Sequence, residues 1–126
     1  MFKIRMGVPE MKKLWDSLIR KNKQGTLSED EAKLYKKWSK ALKFLSQNPR
    51  HRGLASHDID PLSRRYGEKV WQSYLENDTA AAGRMFWVYG PGKAEITVIG
   101  LEPHPEDAKR AGYAKVRLSG KGTDAP

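Results

Sequence analysis

The stretch that most restricts the fold is residues 84–107, RMFWVYGPGKAEITVIGLEPHPED. It predicts two strands joined by a tight turn. Successive side chains of a strand point to opposite faces, so Met85, Trp87 and Tyr89 share one face and Arg84, Phe86 and Val88 the other. Gly90-Pro91-Gly92-Lys93 supplies the turn, with two glycines free to take positive φ around a proline that fixes its own. Ile96, Thr97, Val98 and Ile99 form a β-branched run suited to a pleated surface packed on at least one side. Gly100, Pro103 and Pro105 are expected to stop the strand and to hold His104 between the prolines. A hydrophobic hairpin that begins with Arg84 and ends in Glu102, His104, Glu106 and Asp107 has the makings of the floor of a site.

Upstream, two amphipathic helices are expected. Residues 2–6 alternate as a short first strand, ended by Gly7 and Pro9. Apolar residues at 11, 14, 15, 18 and 19 make one helical stripe, with Pro9 suited to the first turn and Gly25 to the stop. Ser28 and Glu31 have the spacing of a capping box for a second helix. Its stripe is Leu34, Tyr35, Trp38, Ala41, Leu42 and Leu45, and Pro49 ends it. Trp15 and Trp38 are assigned to the core of this αα-hairpin (9–49). Residues 50–69 lack a period and read as loop with at most a short helical turn. A strand is expected at 70–75, another at 114–118, and a frayed tail over 120–126. The order gives an α+β fold: an N-terminal strand, an αα-hairpin, then a mostly antiparallel sheet of about four strands over 70–119, with the helices on one sheet face.

Charge narrows the partners. The chain of 126 residues is long enough for one domain with a modest core, and its 38% hydrophobic and 31% charged residues suit a globular protein. The net charge is +9, of which +8 lies in residues 1–50. Such a surface favours phosphate backbones or another acidic partner, in a salt-sensitive manner; a lysine-rich solvated helix face is the plainer alternative. Cysteine is absent, which excludes disulfides and thiolate zinc sites. With neither a membrane-length apolar run nor the apolar core of a signal peptide, a cytoplasmic protein with no membrane association is expected.

Several local patterns are weak. Asp58 and Asp60 have D-x-D spacing, but before Pro61 this is more often turn chemistry than a metal site. Arg64, Arg65 and Lys69 are candidates to grip phosphates, weighed against a solvated basic turn. His51 and His57 match no zinc spacing and receive no role. GPGK is not a phosphate loop, and there is no G-x-S-x-G elbow. No metal or cofactor is expected.

Taken together, the order of elements resembles the RelE/ParE superfamily of bacterial type II toxins. The resemblance rests on GRMFWVYG (83–90), an Arg-led aromatic strand, and on EITVIG (95–100) running into a loop rich in His and charge. Tyr113 and a terminal strand follow. The resemblance implies a toxin held inactive by a cognate antitoxin. In the RelE-like branch it would be an endoribonuclease cutting messenger RNA on the ribosome without a metal. Cleavage by the 2′-OH needs a proton acceptor, a cation on the developing phosphorane and an acid for the leaving 5′-oxygen. By resemblance Arg84 would be the cation, and His104 the base or acid. Glu102 would orient His104 or act as base, and Tyr113, Lys109 and Arg110 would position the RNA. Two alternatives stay open: a ParE-like DNA gyrase inhibitor without chemistry, and a basic nucleic-acid-binding accessory protein of a phage or plasmid. Arg84 pairing with Glu102 or Glu95 across the hairpin is the purely structural alternative for that residue.

Overall fold

In the computed structural model, which describes residues 1–76, 83–102 and 118–121, the two expected strands form the middle of a single mixed sheet. Its strands are β1 (Lys3–Met6), β2 (His57–Asp58), β3 (Trp71–Tyr74), β4 (Arg84–Tyr89) and β5 (Glu95–Glu102). They lie in the order β1-β5-β4-β3-β2, with β1 parallel to β5 and the other pairs antiparallel. The described residues thus form an α+β fold whose single five-stranded sheet includes the N-terminal strand. The strand not expected from sequence is the two-residue β2, in the stretch read as a loop. The terminal strand expected at 114–118 lies outside the described residues except for Leu118.

The helical hairpin forms as its stripe and caps dictate. Helix α1 spans Glu10–Gln24 and ends on Gly25, whose positive φ closes the last turn. Helix α2 spans Glu29–Gln47 and begins with the capping box, in which the Ser28 hydroxyl accepts from the Glu31 N–H and the Glu31 carboxylate accepts from the Ser28 N–H. The same carboxylate takes the Lys21 ammonium at 2.7 Å, joining the two helices. The Lys21 hydrogen bond, then the Ser28 N–H, hold the Glu31 carboxyl below its ordinary value of 4.5. Its stabilising effect is therefore complete above pH 4.5 and is lost as the pH falls through the lower folded value. Glu31→Gln should flatten the acid side of the stability profile, read by urea unfolding between about pH 3 and 6.

Both faces of the sheet are covered, which corrects the expectation of helices on one face. On one side Met11, Leu18, Trp38 and Leu45 of the hairpin meet Met85, Trp87, Ile96, Val98 and Leu101. On the other, a third helix, α3 (Asp60–Tyr66), brings Leu62 with Ile59 and Val70 onto Phe86, Val88 and Ile99. The alternation in β4 required this, because both of its faces carry large apolar groups that gain by leaving water. Helix α3 escapes a periodicity search because it has seven residues and a single fully buried apolar side chain, Leu62.

Strand β5 runs through Gly100 to Glu102 instead of stopping at the glycine. Phe86 pairs with Gly100 but Trp87 with Val98, leaving Ile99 as the extra residue of a β-bulge. The bulge resets the alternation. Leu101 joins Ile96 and Val98 in the hairpin core, and Glu102, which unbroken alternation would send into that core, lies opposite Arg84.

Residues 118–121 tie the sheet to α1 and α3. Val8 and Gly120 exchange backbone hydrogen bonds, Ser119 N–H donates to Ile99, and the Ser119 hydroxyl accepts from Met11 N–H. Tyr66 donates its hydroxyl to the Ser119 carbonyl, and Lys121 pairs with Glu68 at 2.7 Å. Gly120 and Lys121, placed by sequence in a frayed tail, are therefore bonded into the fold. Burial, reinforced by Glu68, pushes the Tyr66 phenol above its ordinary value. A Cβ on Gly7 would meet Ser119 Cβ at 2.7 Å, the Gly120 carbonyl at 2.8 Å and the Val98 carbonyl at 3.0 Å. Backbone cannot move aside as a side chain can, so Gly7→Ala should cost about 1–3 kcal/mol in urea unfolding. Among the described residues no helix is long and apolar enough to cross a membrane.

Candidate functional site

On the α3 side of the sheet, four polar side chains form a row, each from a different strand. Glu102 of β5 lies opposite Arg84 of β4, and Gln72 of β3 lies opposite His57 of β2. Arg84 Nη2 donates to Glu102 Oε1 in a direct ion pair, and its Nη1 donates to Gln72 Oε1 at 3.3 Å. The Gln72 amide nitrogen faces His57 Nε2 at 3.4 Å, and His57 Nδ1 lies 3.0 Å from the Ala55 carbonyl. A carbonyl can only accept, so Nδ1 carries the proton and Nε2 is the acceptor that the amide N–H needs. The guanidinium orients the amide oxygen, and the amide in turn orients the imidazole.

Local structure sets this row. Gly83 has φ +103, a region unfavourable for residues with a Cβ, and an added Cβ would come within 3.0 Å of Leu75 and 3.4 Å of the Glu102 carbonyl. Glycine therefore lets β4 start close against β5, with Arg84 as its first residue. The bulge then supplies Glu102 as partner. The Arg84 side chain is 16% exposed and that of Glu102 4%. Gln72 is buried, whereas His57 is exposed at the sheet edge. Tyr74, opposite Arg84 in register, puts its ring 6.4 Å from that of His57.

Of the residues singled out by sequence, the fold brings Arg84 and Glu102 together. His104, Tyr113, Lys109 and Arg110 lie outside the described residues. Arg64 and Arg65 occupy the exposed last turn of α3. Lys69 precedes β3 and sets its ammonium over Trp71, which belongs to the hairpin side of the sheet and not to the Arg84 side. Of the described candidates, Arg64 and Arg65 thus belong to α3 and Lys69 to the hairpin side of the sheet. Asp58 and Asp60 are exposed, and no group of three or more His, Asp or Glu among the described residues is placed to hold a metal ion. His51 stacks on Phe44 at 4.2 Å and accepts from Gly53 N–H, a local packing role.

Neither a protein-family model, nor a curated protein, nor a solved structure matches this chain. The chemistry must be read from the row itself. Sequence reasoning missed Gln72 and left His57 without a role. The available signal was a polar residue amid an apolar strand (VWQSYL), but which neighbour it faces depends on strand register. The row offers a permanent cation for an anionic oxygen, a carboxylate that holds it, and an imidazole nitrogen that acts as an acceptor.

Proposed function

We propose that this chain is the toxin of a type II toxin–antitoxin pair, a RelE-like endoribonuclease that cuts messenger RNA on the ribosome. The observation that carries the reading is the row Arg84–Gln72–His57, which joins a phosphate-binding cation to a proton acceptor through one amide. The order of a strand, an αα-hairpin and antiparallel strands headed by an Arg-led aromatic strand supports it. When the 2′-OH displaces the Gln72 amide from His57 Nε2, that nitrogen takes its proton as the 2′-oxygen attacks phosphorus, and Arg84 stabilises the charge on the phosphorane. The 5′-oxygen leaves with a proton from an acid, one of the two roles the resemblance implies for His104, and a 2′,3′-cyclic phosphate remains. Glu102 holds the guanidinium instead of moving a proton. A cytoplasmic antitoxin of opposite charge would cover the basic surface.

A second reading, a ParE-like binder of DNA gyrase that does no chemistry, is favoured by the burial of the Arg84–Glu102 pair, which suits a structural ion pair. Induced expression in a bacterial host, followed by primer extension on total RNA, separates the two. The nuclease reading expects discrete new messenger ends, lost in His57→Ala while the circular dichroism spectrum is unchanged. Growth arrest with intact messenger and damaged DNA would replace it with the gyrase reading.

A further inference from the structure

Two cations from separate parts of the chain converge on one indole. Arg50, just beyond α2, has its guanidinium carbon 5.0 Å from the Trp71 ring centre, and Lys69 has its ammonium at 5.7 Å. Trp71 stacks on the buried Trp87 at 5.7 Å and 15°, and Tyr89 stands edge-on to it at 6.2 Å. Tyr89 is 41% exposed, among the largest exposed apolar surfaces of the described residues. Hydrogen bonds hold the arrangement. Ser56 donates to the Pro49 carbonyl at 2.7 Å, so the bond between the Ser56 and Ser73 hydroxyls runs from Ser73, which itself accepts from Trp87 Nε1. This chain of bonds pins the backbone beside Arg50 to β3. Among the described residues no carboxylate forms an ion pair with Arg50 or Lys69. Glu68, next to Lys69, is taken by Lys121, while strand register places Asp58 beside Trp71.

We propose that Arg50, Lys69, Trp71 and Tyr89 form a docking site for single-stranded RNA, with a phosphate at the two cations and a neighbouring base on the Tyr89 ring. The indole keeps the cations together without neutralising them, as a cation–π contact leaves the charge available to an anion. An exposed aromatic beside such a pair is the combination that single strands use, stacking bases while the backbone meets positive charge. An acidic peptide would need the charges but not the ring. The surface lies on the opposite sheet face from Arg84 and at the other end of β4, roughly 17 Å along the strand. It goes beyond the nuclease reading, because it requires that RNA bind and not that RNA be cut.

The test is fluorescence anisotropy of a short fluorescein-labelled oligouridylate with the full chain, over a range of salt. Arg50→Ala with Lys69→Ala should weaken binding about tenfold and flatten the log–log salt dependence by roughly 0.7 to 1.4. Tyr89→Leu should weaken it about tenfold at unchanged salt slope, whereas Tyr89→Phe should bind like the wild type. Asp58→Asn should tighten binding. Each variant is accepted only at the wild-type thermal midpoint, and Tyr89→Phe, which removes only a hydroxyl, serves as the conservative control. Wild-type affinity in the Arg50/Lys69 variant, equal binding by Tyr89→Leu, or no binding by the wild type would each overturn the site. Oligouridylate bound tightly while induced cells show no new messenger ends would refute the nuclease reading and leave this site standing.

Discussion

Arg84→Ala should lower stability by about 3–5 kcal/mol, because it strands the Glu102 carboxylate, 4% exposed, without its counter-charge. Against a total of roughly 5–15 kcal/mol this is a large fraction, so loss of activity in that variant alone would say little about chemistry. A cleaner comparison replaces the whole pair. Removing both charges together removes the desolvation cost as well as the attraction, and apolar pairs of similar volume are often neutral or better. Arg84→Met with Glu102→Leu should therefore recover most of the loss in urea unfolding, less the donor removed from Gln72 Oε1. If Arg84 is the phosphate cation, this folded double variant makes no new messenger ends. Messenger cleavage at the wild-type level by the double variant would assign the pair a structural role alone.

Trp87→Ala should cost a comparable amount, about 3–5 kcal/mol in urea unfolding, for a different reason. The indole is fully buried between the hairpin and the sheet, and its Nε1 begins the hydrogen-bond chain through Ser73 and Ser56 to Pro49. It also forms the floor under Trp71 and the edge contact of Tyr89, at 5.1 Å. The variant should thus lose oligouridylate affinity together with stability. Ser73→Ala separates these effects: it leaves a buried indole N–H without its acceptor, at about 1–3 kcal/mol, while the aromatic floor stays in place. A Ser73→Ala protein that unfolds at the wild-type urea concentration would show that the hydroxyl chain contributes nothing.

The elements with strong local signals were legible. The stripe from Met11 to Leu18, the Ser28–Glu31 box and Gly25 define the two hairpin helices, because spacing and capping act within a few residues of sequence. The alternation from Arg84 to Tyr89 likewise placed Trp87 and Phe86 on opposite faces. Sequence alone nevertheless put helices on one sheet face only, and the second covering layer came from the structure. Helix α3 was hidden by its length, and β2 by having only two residues.

The candidate site was half legible for the same reason. Sequence alone determined the helical hairpin, the central strands and the presence of a cation at the head of β4. Only the tertiary structure decided that Glu102 faces Arg84, through a bulge at Ile99, and that Gln72 and His57 extend the row across β3 and β2. It likewise decided that Lys69 joins Arg50 on the far face instead of joining Arg84. Helical periods and caps are properties of neighbours in the chain, whereas strand register and bulges are settled by contacts between residues far apart in sequence, and one residue of slip turns a side chain to the other face.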